Sequence, residues 1–299
     1  MRVFVTGASG WIGSAVTDEL LAHGYEVVGL ARSDEAAAAL EAKGVTAHRG
    51  SLDDLDSLAP AAAATDGVVH LAFKHDFTDY AGAGRSERAA VQRMLDTVEG
   101  SGKPFLFASG LDSGITDRPF TEDDLSPHHG ADSPRGGSEN LALGYADRGV
   151  RPVALRLAAS VHGMGDHGFV STLAKVAKQR GVVGYLGDGS NRWPAVHRSD
   201  AARLVRLALE QAPAGSRVHA VAEEGLPLRD IAAALGDYLG LHTVSVARED
   251  AEAHFGWIGH FAGLDITASN ARTRELVGWT PTGPTLFEDI AAGAYALPE

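Results

Sequence analysis

A chain of 299 residues, 44% hydrophobic and 22% charged, is long enough to bury one large core or one core with a smaller lobe, and its composition excludes broad disorder. It contains no cysteine, which excludes disulfides, thiolate metal sites and cysteine nucleophiles. Lys+Arg 26 against Asp+Glu 39 gives a formal charge of −13 with no clustered basic stripe, so nucleic acid is not an expected partner, whereas a small anion needs only local donors.

The opening MRVFVTGASG lacks the long apolar stretch of a secretory signal. No apolar run is long enough to span a bilayer, so no membrane association and a cytoplasmic location are expected. Apolar runs at Val3–Thr6, Glu26–Ala31, Val45–Arg49, Gly67–Ala72, Pro104–Ala108 and Pro152–Arg156 predict buried parallel strands, because they lack the alternation of a half-exposed sheet. Helices are predicted over Ser14–His23, Asp34–Lys43 and Ser138–Arg148, each followed by a glycine stop. Strand–helix alternation of this kind predicts an α/β fold: a Rossmann-type, doubly wound parallel sheet.

Beyond residue 160 the pattern loosens. Gly163–Gly168 and Gly181–Asn191 predict loops around a helix Phe169–Arg180, and Trp193–Val196, Asp200–Glu210 and Arg217–Ala222 predict further sheet-associated elements. Leu228–Leu239 and Asn270–Val277 predict helices. No repeat or linker separates independent domains. The expected layout is a dinucleotide-binding domain of residues 1–162 and 193–222, with a smaller interleaved C-terminal substrate lobe of residues 163–192 and 223–299.

Thr6-Gly7-Ala8-Ser9-Gly10-Trp11-Ile12-Gly13 follows the first strand and opens the first helix. Gly7 permits the tight turn, Gly10 lets the backbone approach a pyrophosphate, and Gly13 lets the helix lie close to the sheet. The phosphates would rest on N–H groups at a helix N-terminus near Ser9, Trp11 and Ile12. At the end of the second strand, where an acidic residue would accept from a ribose 2′-hydroxyl, the sequence has Ala31-Arg32-Ser33. Arg32 and Ser33 can donate to a 2′-phosphate, so NADP(H) is the expected cofactor.

TGASGWIG, Val69-His70-Leu71-Ala72, Val161-His162-Gly163, Val196-His197-Arg198-Ser199-Asp200 and Arg274-Glu275-Leu276-Val277-Gly278-Trp279-Thr280-Pro281 together resemble an extended or atypical short-chain dehydrogenase/reductase of the epimerase/dehydratase-like kind. The resemblance implies that Leu71, Ala72 and Phe73 line the cofactor, that Ala159 and Ser160 approach the nicotinamide, and that the Leu52 backbone neighbours the adenine. It implies a serine, a tyrosine and a lysine as the catalytic set. Ser109 fits the serine position. Aligning Glu139 with the helix glutamate of such proteins puts Arg135 at the lysine position and Ala131 at the tyrosine position, so the tyrosine is missing. Arg135 can keep the ribose contact but cannot act as acid or base near neutral pH.

Histidines are the natural replacement. His75, His128, His129, His162 and His167 all fall in loops at carboxyl ends of strands, and His75 is the first choice because it follows the cofactor-lining strand. Tyr145 is expected to pack in the core. Arg192 and Trp193 border the substrate pocket by resemblance, alongside His75, Ser109 and His162. His254, Phe255, Trp257 and Phe261 are expected as an apolar wall or core. No metal-ligand spacing accompanies the histidines. The expected function is an NADP(H)-dependent oxidoreductase acting on a small carbonyl, imine or alkene, with a homodimer implied by resemblance. An epimerase- or dehydratase-type isomerase or lyase with bound cofactor, and a non-catalytic NADP(H)-binding redox sensor, are the alternatives.

Overall fold

The structure is a computed structural model, and it describes residues 1–75, 79–111, 114 and 117–296. The first half alternates: β1 (Arg2–Thr6), α1 (Trp11–Ala22), β2 (Glu26–Ala31), α2 (Asp34–Glu41), β3 (Thr46–Arg49), α3 (Leu55–Ala64), β4 (Gly67–His70), α4 (Tyr80–Val98), β5 (Pro104–Gly110), α5 (Ser138–Leu143) and β6 (Arg151–Leu157). There follow β7 (Ser160–His162), α6 (Phe169–Arg180), β8 (Val182–Leu186), β9 (Arg192–His197), α7 (Arg198–Gln211), β10 (Ser216–Ala220), β11 (Glu223–Pro227), α8 (Leu228–Leu239) and β12 (His242–Val246). The chain closes with short helices α9 (Ala251–Phe255), α10 (Gly259–Ala262), α11 (Ala271–Val277) and α12 (Leu286–Ala291).

Seven strands form one parallel sheet in the order β10-β6-β5-β4-β1-β2-β3. This is the Rossmann-type α/β sheet that the alternating pattern predicts. Along β1, Val3 and Val5 pack into the cluster on one face and Phe4 into the cluster on the other, so period-2 alternation here separates two cores rather than core from solvent. The strand order turns back between β1 and β4, and the β1, β2 and β4 carboxyl ends open one crevice there.

Two expectations about the strands change. β4 stops at His70, short of the predicted Ala72, where its partner β1 also ends: Thr6↔His70 is the last pair, and the Leu71 N–H closes the ladder on the Thr6 carbonyl. The expected loop 181–191 contains β8, whose apolar Val-Val-Gly-Tyr-Leu run pairs in parallel with β12, and its glycines only bracket the strand: Gly181 caps α6 at φ 73° and Gly187 turns at φ 57°. The sheet-associated element expected at Trp193–Val196 is β9, which pairs with β7 and β11 in a three-stranded sheet apart from the seven parallel strands. A third buried cluster, around Trp193, Phe255, Ile258, Leu286 and Tyr295, sits under these smaller sheets.

The predicted helix Ser138–Arg148 is broken. α5 ends at Leu143 and 3₁₀ turns flank it on both sides. In the turn before it, Arg135, Gly136 and Gly137 all take left-handed backbone angles, at φ 50°, 60° and 58°. Arg135 is the only described non-glycine residue at positive φ, a conformation that costs energy for a side chain with a Cβ.

Candidate functional site

The loop between β1 and α1 is built around close backbone approaches. Gly7 lies at φ 69°, and a Cβ there would stand 2.8 Å from the Ala72 nitrogen. A Cβ on Gly13 would stand 1.9 Å from the Gly7 carbonyl oxygen, so glycine is required for α1 to enter the loop this tightly. Gly10 caps α1 in an extended conformation with no side-chain cap, which leaves the first-turn N–H groups facing outward for an anion. Thr6 ties this loop to the neighbouring one: its hydroxyl oxygen accepts from the Leu71 and Ala72 N–H groups at 3.2 Å each.

Two adjoining cavities open here, sharing Leu71, Phe73 and His75 in their walls. The first, of about 490 Å³, is lined by Gly7, Ser9, Arg32, Ser33, Leu52, Leu71, Ala72 and Phe73 among others, which are residues the glycine-loop reading and the resemblance nominated. Arg32 is exposed, and its guanidinium has no hydrogen-bond or charge partner among the described residues. Ser33 caps α2 by accepting from Ala36 N–H at 3.1 Å, which leaves its own hydrogen free to donate. Lys74, which the sequence reading missed, lies in the same wall and pairs with Asp53.

The second cavity, of about 530 Å³, continues from the loop toward the smaller sheets. Trp11, Ile12, Gly13, Ala159 and Ser160 line it, together with His75 and Arg135. Trp11 Nε1–H donates to the Val161 carbonyl at 2.7 Å, and the Arg198 guanidinium lies 4.0 Å over the Trp11 ring. The far wall is aromatic: Phe169 lies 4.9 Å from Phe261 and 6.1 Å from Trp257, ring centre to ring centre. Trp257 and Phe261, anticipated as an apolar wall, face this cavity, whereas Phe255 is buried in the core below. Tyr80, at the start of α4, also lines the cavity; the sequence does not single it out, because the resemblance places the tyrosine four residues before Arg135.

Arg135 reaches the cavity from its left-handed turn. Its guanidinium donates to both carboxylate oxygens of Glu87, the Nε contact being 3.2 Å, and also to the Ala108 carbonyl at 3.2 Å. It lies 4.4 Å over the Phe73 ring. Burial opposes the charge, but Glu87 more than offsets this and keeps the guanidinium's pKa above its usual value. Close packing allows the arrangement: a Cβ on Gly136 would stand 2.4 Å from the Gly84 carbonyl of α4. His75 is held below the usual imidazole pKa, first by burial and then by the charge of Arg135, so at neutral pH its ring is uncharged.

Several nominated residues lie elsewhere. Ser109 is in neither cavity wall: its hydroxyl donates to Glu139 Oε2 at 2.7 Å, and Glu139 is also held by buried Arg156 at 2.6 Å. His162 is fully buried, with Nδ1 against Asp289 Oδ2 at 2.6 Å, and lies in neither cavity wall. Arg192 is paired with Asp265 through two 2.9 Å hydrogen bonds, and Trp193 is 1% exposed in the core beneath the small sheets. His128 and His129 stay outside both walls, near Asn140, while His167 does reach the second cavity, edge-on to Trp11 at 5.5 Å. Tyr145 is a core residue whose hydroxyl donates to Asp96. Among the described residues no group of His, Asp or Glu is arranged to hold a metal ion, and no helix is long and apolar enough to cross a membrane.

Residues 3–221 match the NAD dependent epimerase/dehydratase family. An uncharacterized protein of Schizosaccharomyces pombe is 44% identical over 99% of this chain and 100% of its own length. A 2-alkyl-3-oxoalkanoate reductase of Stenotrophomonas maltophilia is 27% identical over 77% of this chain and 73% of its own. Among solved structures, the dTDP-glucose 4,6-dehydratase DesIV of Streptomyces venezuelae, with NAD and TYD bound, superposes with a TM-score of 0.77 at 23% identity, covering 98% of this chain and 96% of that one. That likeness concerns the fold.

Proposed function

This chain belongs to the NAD dependent epimerase/dehydratase family, and from that premise we propose that it is an NADP(H)-dependent reductase of small, largely apolar carbonyl compounds. The observation that carries the reading is the pair of adjoining cavities. The first offers a glycine cradle, an uncapped helix N-terminus and an unpaired Arg32 where a 2′-phosphate would sit. When bound, the dinucleotide would supply the hydride. Gly7, Ser9, Gly10 and the first turn of α1 would hold its pyrophosphate, and Arg135 and Ala159 would border its nicotinamide half. The relative named as an oxoalkanoate reductase is consistent with a ketone as substrate.

The second cavity favours a ketone over a nucleotide sugar. Among the described residues the single guanidinium in this wall is already paired with Glu87, which leaves the wall no unpaired arginine to meet a diphosphate. Its aromatic wall, from Phe169, Trp257 and Phe261, would cover a flat or greasy substrate, with Trp257 and Phe261 coming from the lobe proposed for residues 223–299.

The test is incubation of the protein with NADPH and a panel of aliphatic and aromatic ketones, following loss of nicotinamide absorbance. Turnover with apolar ketones is expected. Tight NADPH binding with no turnover of any ketone, or release of an isomerised sugar nucleotide without net oxidation, would sink the proposal in favour of a sensor or an epimerase.

A further inference from the structure

Reduction of a carbonyl by hydride leaves an alkoxide that needs a proton, and the second cavity contains few groups able to give one. Among the described residues, the titratable ones in its wall are His75, Tyr80, Arg135, Asp166 and His167. Arg135 keeps its proton under all working conditions. His75 is uncharged, and a neutral imidazole N–H is not an acid at this pH. Asp166 already accepts from the Gly168 N–H at 2.7 Å and the Tyr295 hydroxyl at 2.9 Å.

We propose that Tyr80, at the first turn of α4, is the proton donor of this site, and that Arg135 is the cation that stabilises its phenolate. This deepens the reductase reading and rests on it. Tyr80 and Arg135 share the cavity wall and flank one ring: Phe73 lies 5.8 Å from the Tyr80 ring and 4.4 Å beneath the guanidinium. The charges that bear on the phenol are Arg135, which favours its ionised form, and Glu87, which opposes it, with Arg135 the stronger. Burial outweighs both and raises the phenol's pKa, so Tyr80 carries its proton at neutral pH.

The step balances without a further reagent. The carbonyl carbon accepts a hydride from a reduced nicotinamide dinucleotide, and the carbonyl π pair moves onto oxygen. The Tyr80 O–H bond breaks to protonate that oxygen. The substrate gains two electrons, the dinucleotide is oxidised, and water returns a proton to the phenolate beside Arg135. The tyrosine opens α4, the helix after β4, and does not come from the segment that carries Arg135, so the lost position at Ala131 need not be refilled.

Two measurements test this. Tyr80→Phe keeps the ring and should lower kcat by about 10²–10⁴-fold while NADPH affinity, read by calorimetry, stays within about twofold. Independently of turnover, the tyrosinate absorbance that wild type shows and Tyr80→Phe lacks reports the phenol's ionisation. Arg135→Lys should leave that titration near its wild-type position. The double variant Glu87→Gln/Arg135→Gln, which removes both buried charges and so avoids stranding either, should make the phenol about tenfold weaker as an acid. Retained turnover in Tyr80→Phe, with loss instead in His167→Asn, overturns the assignment. So does a phenol titration that the double variant leaves unmoved. If wild type binds NADPH yet reduces no ketone, the reductase reading falls, and the titration still decides whether Tyr80 and Arg135 are coupled.

Discussion

Ser109 donates its hydroxyl hydrogen to Glu139 across 2.7 Å, and so belongs to a buried ion-pair network and not to the cavity wall. Glu139 also receives hydrogen bonds from Arg156 and Arg217. Burial raises its pKa, but these partners outweigh burial and hold the carboxyl below its usual value. Ser109→Ala removes one hydrogen bond to a group that keeps its other donors, so it should cost about 0.5–1.5 kcal/mol of stability and leave kcat within about threefold. Glu139→Ala leaves Arg156 buried without its carboxylate and should cost about 3–5 kcal/mol. Denaturant unfolding of both variants, with parallel turnover assays, checks the pair. A large kcat loss in Ser109→Ala at unchanged stability would return the serine to the reacting site.

Arg32→Ala should weaken NADPH by about ten- to a hundredfold, the worth of a charge-assisted contact, and leave NADH nearly unchanged. Glu35 lines the same cavity and would suit a ribose 2′-hydroxyl, so the comparison has two signs. Calorimetry with both dinucleotides decides. Tighter binding of NADH than NADPH by wild type, or equal loss of both in the variant, overturns the 2′-phosphate assignment.

What the sequence could reveal follows from how far apart the interacting residues lie. The glycine loop was readable because Gly7, Gly10 and Gly13 act within one turn between a strand and its own helix. Glu87 was readable in principle: it falls on the α4 stripe of Ala83, Ala90, Met94 and Leu95, where an acid implies a buried partner. Its partner was not, because Arg135 arrives 48 residues later through a left-handed turn that nothing in Pro-Arg-Gly-Gly dictates. The aromatic wall depends on docking residues 251–262 against α6, and Ser109's partner depends on packing α5 against β5. A serine at a strand end looks the same in sequence whether it faces a ligand or a glutamate.

His70 links the fold to pH. Thr6 Oγ1 accepts from the Leu71 and Ala72 N–H groups, so its own hydrogen goes to His70 Nδ1 at 2.7 Å, and that nitrogen must be unprotonated. Burial first, and the charge of Arg135 second, push the His70 pKa down from 6.5 to about 3. The unfolded chain therefore binds the extra proton between these values. The stabilisation is complete above about pH 6.5 and is lost progressively as the pH falls to about 3, a total of about 3–5 kcal/mol. His70→Asn, which keeps an acceptor near Nδ1, should show a shallower fall of Tm between pH 6.5 and 4 by about one proton. An identical slope in the variant would remove His70 from the acid response.

Trp257 separates binding from stability at the substrate wall. Its residue is 48% exposed although its ring stands 6.1 Å from both Phe169 and Phe261 at the cavity. An exposed ring contributes little to the core, so Trp257→Ala should change stability by no more than about 1 kcal/mol. An apolar ketone that slides beneath the ring would bury further area against it, and an aromatic contact of this kind is worth about 0.5–1.5 kcal/mol beyond the area term. The KM for aromatic ketones should therefore rise about tenfold, with kcat nearly unchanged, because the wall holds ground state and transition state alike. Small ketones such as acetone, too short to reach the wall, should show no change. Phe261→Ala should repeat the pattern with a larger stability cost, since that ring is more enclosed. The discriminating result is the ratio of KM between large and small ketones. If Trp257→Ala shifts both equally, or alters NADPH affinity instead, the aromatic wall belongs to the cofactor's half of the cleft and the apolar-ketone assignment loses its basis.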